Sequence, residues 1–158
     1  EFTPMPELSP EPEPTADGIL SGLKPPVDGT VMKSFAINSL LYSETLHQWM
    51  THPGVDIECS KGSEVRAIAD GTIKNVYVDD RLGVTIVISH ANGMASVYSN
   101  LKAEPPVNIG DRITARQVIG CIGDTAISEC AERSHLHFEI RVNGSPVDPE
   151  SIITFIKP

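Results

Sequence analysis

Residues 72–98 read TIKNVYVDDRLGVTIVISHANGMASVY, a stretch in which apolar and polar residues alternate between turn signals. Alternation with a period of two is typical of β-strands, and the Asn-Gly pair at 92–93 is a strong short-range signal for a hairpin. The stretch therefore predicts antiparallel strands, which we place at residues 72–78, 84–88 and 95–98.

Two further apolar runs extend this pattern towards the end of the chain. Residues 117–122 read QVIGCI, and residues 136–142 read LHFEIRV and end at a second Asn-Gly pair. Helix-like patterns occur only at residues 42–50 and 149–153, and both are short. The sequence predicts an all-β class, built as an antiparallel β-sheet with short helices.

Composition excludes some classes of function. The chain has 158 residues, with 12 Lys+Arg against 21 Asp+Glu, and its formal net charge is −9. Nucleic acids and anionic membrane surfaces are bound by clustered Lys and Arg, and this sequence has no such cluster. The hydrophobic fraction of 40% suits one globular domain, and no apolar run approaches the roughly 20 residues that span a bilayer.

Residues 1–23 differ in composition from the rest of the chain. They contain five prolines and five acidic residues but no Lys or Arg. Such a segment has little apolar surface to bury, and its prolines and like charges keep it extended. We expect residues 1–23 to be a disordered Pro/Glu-rich linker and residues 24–158 to form the domain.

Three cysteines, Cys59, Cys121 and Cys130, form no CxxC pair, so the sequence lacks the usual zinc or redox cysteine motif. Cys121 and Cys130 either form a disulfide or remain thiols, and the sequence leaves both possibilities open.

Histidines occur in two tight patterns. His52 precedes Asp56 by four residues, and the intervening Pro-Gly excludes a helix. His135 and His137 lie at the start of an apolar strand, where a period of two puts both imidazoles on one face. They are either surface residues or metal ligands, because Zn²⁺ selects imidazole nitrogen and carboxylate oxygen.

The order of these motifs resembles that of a known family. The segments HPGVDI, KGSEVRAIADGTI, LGVTIVISHANG, VYSNL, VNIGDRITARQVIGCIGDT and SHLHFEIRVNGSPVDP resemble the LytM domain of lysostaphin-type zinc peptidoglycan endopeptidases over residues 27–152. LLYSETLHQWMTHPGVDI and GDTAISECAERSHLHFEI most resemble the sporulation branch typified by stage II sporulation protein Q. The resemblance implies a barrel-sandwich-like LytM fold.

The resemblance also implies roles for individual residues. His52, Asp56 and His137 match the family's three zinc ligands, and His135 matches its catalytic histidine. Three protein ligands leave a fourth position for water, as in catalytic zinc sites. Active members carry a second catalytic histidine where this chain has Asn100, and an amide can donate a hydrogen bond but cannot relay a proton. We therefore expect intact metal binding and weak activity or none.

Other polar residues have two interpretations each. Glu139 shares the face of His137 and either orients that ligand or is an exposed strand carboxylate. Trp49 and His47 either line the entrance to the groove or, for Trp49, pack in the core. His90 precedes a turn and is interpreted as a turn or surface residue rather than a fourth ligand. Cys59 is expected to lie away from the metal.

Two functions remain. The first is a zinc endopeptidase that cuts peptide cross-links of bacterial peptidoglycan outside the cytoplasm. The second is a non-catalytic zinc-binding envelope or sporulation domain that binds a partner membrane protein. A lipoyl- or biotinyl-like carrier is excluded, because neither Asn-Gly turn carries a modifiable lysine. Since the chain begins with Glu1 rather than Met, we expect a missing N-terminal signal or membrane anchor.

Overall fold

The computed structural model describes residues 23–43, 47–123 and 134–156, but not the side chains of residues 38–43 and 48–50. Within these residues the chain is mostly β-strand, with two short 3₁₀ turns at Ala91–Gly93 and Pro149–Ser151. The strands are β1 (Thr30–Lys33), β2 (Ala36–Ser43), β3 (Gln48–His52), β4 (Val55–Glu58), β5 (Glu64–Arg66), β6 (Gly71–Asp79), β7 (Gly83–Ser89), β8 (Met94–Leu101), β9 (Arg112–Ile113), β10 (Val118–Cys121), β11 (His135–Val142) and β12 (Ser145–Val147).

The main sheet has the order β1-β4-β11-β8-β7-β6-β9, and β12 also pairs with β11. Its strand pairs are antiparallel, and β2 with β3 and β5 with β10 form two separate ribbons. The predicted all-β antiparallel class is confirmed.

One face of the main sheet packs against the hydrophobic core. Leu136, Phe138 and Ile140 alternate along β11 and are fully buried. The ring of Phe138 lies between Tyr98 and Phe155, with ring centroids 5.3 and 6.4 Å away. Because strand residues alternate between faces, the opposite face of β11 presents His135, which the sequence pattern predicts.

Both predicted Asn-Gly turns join antiparallel strands. Asn92 and Gly93 have φ of 59° and 74°, and Asn143 and Gly144 have φ of 51° and 83°. These left-handed conformations suit hairpin turns, since their twist matches that of the flanking strands. The turns connect β7 to β8 and β11 to β12.

The helix predicted at residues 42–50 is wrong. Tyr42 and Ser43 end β2, Gln48 begins β3, and Tyr42 pairs with Trp49 across the ribbon. Helix propensity in this segment is weak and is overridden by pairing between the two strands. The second predicted helix, at residues 149–153, occurs as the 3₁₀ turn whose first free amide is capped by the Asp148 carboxylate.

Some expectations fall on other parts of the chain. The predicted linker, apart from its last residue, and Cys130 lie outside the described residues. Within the described residues, neither Cys59 nor Cys121 forms a disulfide. Over the described ranges, no helix has the length and apolar character needed to cross a bilayer.

His90 connects a turn to the core by hydrogen bonds. Its Nδ1 lies 2.8 Å from the Asp70 carbonyl oxygen, and its Nε2 lies 2.7 Å from Ser96 Oγ. Ser96 Oγ donates a hydrogen bond of 2.8 Å to the Tyr98 hydroxyl oxygen. This oxygen also accepts a hydrogen bond from the Ile68 amide. His90 flanks the 3₁₀ turn as the sequence predicts, but it is buried rather than on the surface.

This network predicts an acid-sensitive contribution to stability. Burial lowers the pKa of His90, although the hydrogen bond to the Asp70 carbonyl and the Asp70 charge oppose that effect. The unfolded chain therefore takes up the proton first as pH falls, and the stabilisation present above about pH 6.5 is lost below it. Denaturant unfolding of wild type and His90→Asn between about pH 5 and 8 measures this. Their stability difference should shrink at low pH, and a constant difference would contradict the prediction.

Candidate functional site

Three strands bring His52, Asp56 and His137 together on the face of the main sheet opposite the core. His52 ends β3, and a Pro-Gly turn leads directly into β4, which carries Asp56. A Cβ atom on Gly54 would collide with the carbonyl oxygen of Phe138, so a glycine is needed for the turn to lie against β11. The antiparallel register pairs Asp56 with His137.

The polar atoms of these residues converge on one carboxylate oxygen. His137 Nδ1 lies 2.8 Å and His52 Nε2 lies 3.2 Å from Asp56 Oδ1. The two imidazole rings meet edge to face with centroids 5.0 Å apart, and all three residues are buried. Their candidate ligand atoms lie within 4.8 Å of one another, so the group can hold a metal ion.

The outer nitrogen of each imidazole faces an acceptor. His52 Nδ1 lies 3.1 Å from the Ser34 carbonyl oxygen, and His137 Nε2 lies 3.2 Å from Glu139 Oε2. Both nitrogens of each ring thus face an acceptor, and a neutral imidazole has only one N–H to donate. When the outer nitrogens carry the protons, the inner lone pairs and Asp56 Oδ1 point at one another, an arrangement that a cation between them satisfies.

The second oxygen of Asp56 supports the same interpretation. Asp56 Oδ2 is buried and has no hydrogen-bond partner. A buried polar atom without a partner is costly, and such atoms in native proteins call for an explanation such as an ion or water. The donor set, two imidazole nitrogens and a carboxylate, is the set that Zn²⁺ prefers. The residues therefore fit a metal site by their chemistry.

Both carboxylates of the cluster are held in the ionised form. Burial alone would raise the pKa of Asp56, but hydrogen bonds and charge from His137 and His52 outweigh it and hold that pKa well below its usual range. Burial also opposes ionisation of Glu139, whose pKa is nevertheless lowered by His137 and Arg141. Arg141 Nη2 lies 3.2 Å from Glu139 Oε1.

Glu139 is a buried residue and not an exposed strand carboxylate. It has 2% of its surface accessible and contacts His137 directly. Of the two interpretations that the sequence leaves open, burial removes the exposed carboxylate, and an orienting role for Glu139 stays a prediction. Carboxylates in this position fix the tautomer of a metal-binding histidine and raise its basicity.

His135 lies beside the cluster. Its Nε2 is 3.9 Å from Asp56 Oδ2, and the residue is almost fully buried. The structure thus brings His135 close to Asp56, on the face that the HxH pattern predicts.

Asn100 occupies an irregular position in β8. The pairing of β7 with β8 shifts register between Val84 and Ile86, which indicates a bulge, and Asn100 has a φ of 66°. Its side-chain amide donates a hydrogen bond of 2.8 Å to the His135 carbonyl oxygen. Asn100 is buried, and its hydrogen bond links β8 to the first residue of β11.

Lys33 belongs to the site although the sequence analysis does not include it. It ends β1, pairs in register with Asp56, and places Nζ 3.9 Å from Asp56 Oδ2. Lys33 and Asp56 are 23 residues apart, and no local motif links them. Arg141 was also missed, but it shares a strand face with Glu139 at a spacing of two, a signal that the sequence does contain.

The remaining candidates lie elsewhere or are only partly described. Cys59 donates from Sγ to the Ile57 carbonyl oxygen at 3.3 Å, and burial raises its pKa to about 11. His47 is exposed in the turn before β3. The backbone of Trp49 lies in β3, and its side chain is outside the described set.

Comparison with known proteins places this geometry in context. The sequence profile of peptidase family M23 matches residues 50–149. The DD-carboxypeptidase/endopeptidase Mpg of Neisseria meningitidis is 34% identical over 139 residues, which is 79% of this chain and 31% of that protein. Stage II sporulation protein Q of Bacillus subtilis is 36% identical over 98 residues, covering 61% of this chain and 34% of that protein. The chain thus spans about a third of the length of these relatives.

Solved structures share the fold. A chain of the SpoIIQ-SpoIIIAH pore forming complex superposes with a TM-score of 0.72 at 26% identity, covering 83% of this chain and 90% of that one. A zinc containing peptidase from Vibrio cholerae superposes with a TM-score of 0.68 at 26% identity, covering 80% of this chain and 38% of that one. These similarities bear out the resemblance to LytM domains and to their sporulation branch.

The contact between Glu139 and His137 predicts an effect on metal affinity. Glu139→Gln removes the charge that orients His137, and we expect divalent metal binding to weaken by roughly 10- to 100-fold. Glu64→Gln is the matched control, since Glu64 forms the same spacing-of-two ion pair with Arg66 on an exposed strand. Competition titration against a chromogenic chelator measures both variants. Equal affinities for the two variants would contradict an orienting role for Glu139.

Proposed function

The chain belongs to peptidase family M23, and we propose that it is a zinc-dependent metallopeptidase domain that acts on peptide cross-links of bacterial peptidoglycan. The observation that carries the proposal is the convergence of His52 Nε2 and His137 Nδ1 on Asp56 Oδ1. Its relatives include a DD-carboxypeptidase/endopeptidase, which supports a peptide bond as the target.

In this proposal His52, Asp56 and His137 hold the zinc ion. A zinc ion bound there supplies Lewis acidity, which polarises a carbonyl group and lowers the pKa of water. With zinc bound, the Ser34 carbonyl oxygen and the Glu139 carboxylate would accept the protons on the outer nitrogens, which leaves the inner nitrogens free to bind the ion. The buried setting strengthens these electrostatic interactions, because water does not screen them.

His135 is the proposed proton-transfer residue. It shares the face of His137 at a spacing of two, and its Nε2 lies 3.9 Å from Asp56 Oδ2. An imidazole can accept a proton from a nucleophile and later give it to a leaving amine. Hydrogen bonding of the His135 carbonyl to Asn100 holds the start of β11 in place.

Asn100 limits the expected activity. Its amide can donate a hydrogen bond to a developing oxyanion, but it cannot accept and pass on a proton. A lost acid or base typically lowers the rate by roughly 10²- to 10⁴-fold. We therefore propose a weakened endopeptidase rather than a fully active one.

A second candidate function is partner binding. One structural neighbour is a chain of the SpoIIQ-SpoIIIAH pore forming complex, and Asn100 gives this domain one proton-transfer group fewer than active members have. In this alternative the domain keeps its metal for stability and binds a membrane protein. The cleavage assay below distinguishes the two functions.

The proposal includes location and domain boundaries. A domain that acts on peptidoglycan works outside the cytoplasm, so we propose an extracytoplasmic protein that is secreted or membrane-anchored through a segment upstream of Glu1. Residues 1–23 would then serve as an extended linker between that segment and the domain at residues 24–158, since their prolines and acidic residues disfavour folding.

Metal content tests the proposed zinc site. Protein purified without chelator should contain close to one equivalent of zinc, and His52→Ala should lose it, because the remaining two ligands bind too weakly. Elemental analysis by mass spectrometry measures both proteins, and circular dichroism confirms that the variant is folded. Metal-free, folded wild type that takes up no added zinc would overturn the zinc site.

Restoring a histidine tests the proposed chemistry. Asn100→His should raise cleavage of purified peptidoglycan by at least about tenfold, because it returns a proton-transfer group to the site. The backbone tolerates the change, since both residues occur in the left-handed region. Released fragments are measured by mass spectrometry.

Two variants control this assay. Asn143→His makes the same substitution at another left-handed asparagine, in the exposed turn after β11, and should change nothing. His135→Ala should abolish cleavage. If neither wild type nor Asn100→His cleaves any of several peptidoglycan types, the partner-binding function is favoured.

A further inference from the structure

Lys33 brings a positive charge to the back of the candidate metal cluster. It is the last residue of β1, and a register shift between Val31 and Lys33 sets it opposite Asp56. The Lys33 side chain is 17% exposed, the Asp56 side chain is fully buried, and Nζ lies 3.9 Å from Oδ2. The ammonium group therefore lies near Oδ2 of the carboxylate, whereas His52 and His137 contact Oδ1.

A divalent cation at Oδ1 would be repelled by Lys33. Lys33 Nζ lies 3.9 Å from Oδ2 of the carboxylate whose Oδ1 faces the two imidazoles. Positive charges beside the two oxygens of one carboxylate repel each other, and a buried setting screens that repulsion little. The Lys33 charge therefore opposes metal binding at the cluster.

We propose that Lys33 is an internal counter-charge, a positioning residue whose ammonium group pairs with Asp56 when no metal is bound and lowers the affinity of the cluster for divalent metal. This inference rests on the metal site of the proposed function. Its consequence is a metal site that binds zinc less tightly than its three ligands alone would.

The proposal makes opposite predictions for the two states. Lys33→Met removes the charge but keeps a long apolar side chain. Without metal, Asp56 loses a neighbouring charge, so the melting temperature in excess chelator should fall below that of wild type. With metal, repulsion is removed, so zinc should bind about tenfold more tightly. A residue that only filled space would show neither effect.

The experiment measures both quantities at one fixed pH. Zinc affinity is determined by competition with a chromogenic chelator, and the melting temperature by circular dichroism in excess EDTA. Lys74→Met, at an exposed position on β6, is the matched control and should behave as wild type. Lys33→Arg keeps the charge and should retain the wild-type values, which separates charge from packing.

Each outcome has a stated meaning. Tighter zinc binding and a lower metal-free melting temperature in Lys33→Met, both reversed in Lys33→Arg, support the counter-charge. Unchanged or weaker zinc binding by folded Lys33→Met overturns it and leaves the zinc site intact. Zinc uptake by Lys33→Met but not by wild type supports it, whereas no uptake by either protein overturns this inference and the proposed zinc site together. If Lys33→Met does not fold, Lys33→Gln replaces it and is judged by the same criteria.

Discussion

Antiparallel pairing between β4 and β11 puts Asp56 directly opposite His137, and the rest of the site is arranged around this pair. The same two strands bury Val55, Ile57 and Leu136 on their other face. A one-residue slip would move the polar pair into the core and these apolar side chains out of it. The hydrophobic effect therefore fixes the register, and the register fixes the distance between the two candidate ligands.

The outer contacts of the cluster come from elements that are distant in sequence. Ser34 and Lys33 reach it from the end of β1, and Arg141 reaches it through Glu139. Each contact either holds an imidazole proton or balances a carboxylate charge. Three nearby acceptor atoms can coexist in a buried site only if such partners surround them. The polar network therefore depends on this arrangement of strands, as the hydrophobic core does.

The sequence predicts the features that depend on local patterns. The strands around residues 72–98 and both Asn-Gly turns follow from alternation and turn chemistry, and the HxH spacing places His135 and His137 on one face. The helix predicted at residues 42–50 is wrong because strand pairing, which is not visible locally, decides that segment. The position of Lys33 near Asp56 could not be predicted either, because it depends on the register between β1 and β4 and on no local pattern.

The left-handed backbone at Asn100 has an evolutionary consequence. At a φ of 66° most side chains are disfavoured, while glycine, asparagine, aspartate and histidine are accepted more readily. Asparagine and histidine codons differ at a single base, so one nucleotide change converts either residue into the other. No third residue, disfavoured at this φ, has to occupy the position in between. A lineage can thus lose or regain a proton-transfer side chain here in one mutational step, with the sheet, the core and the metal ligands left as they are.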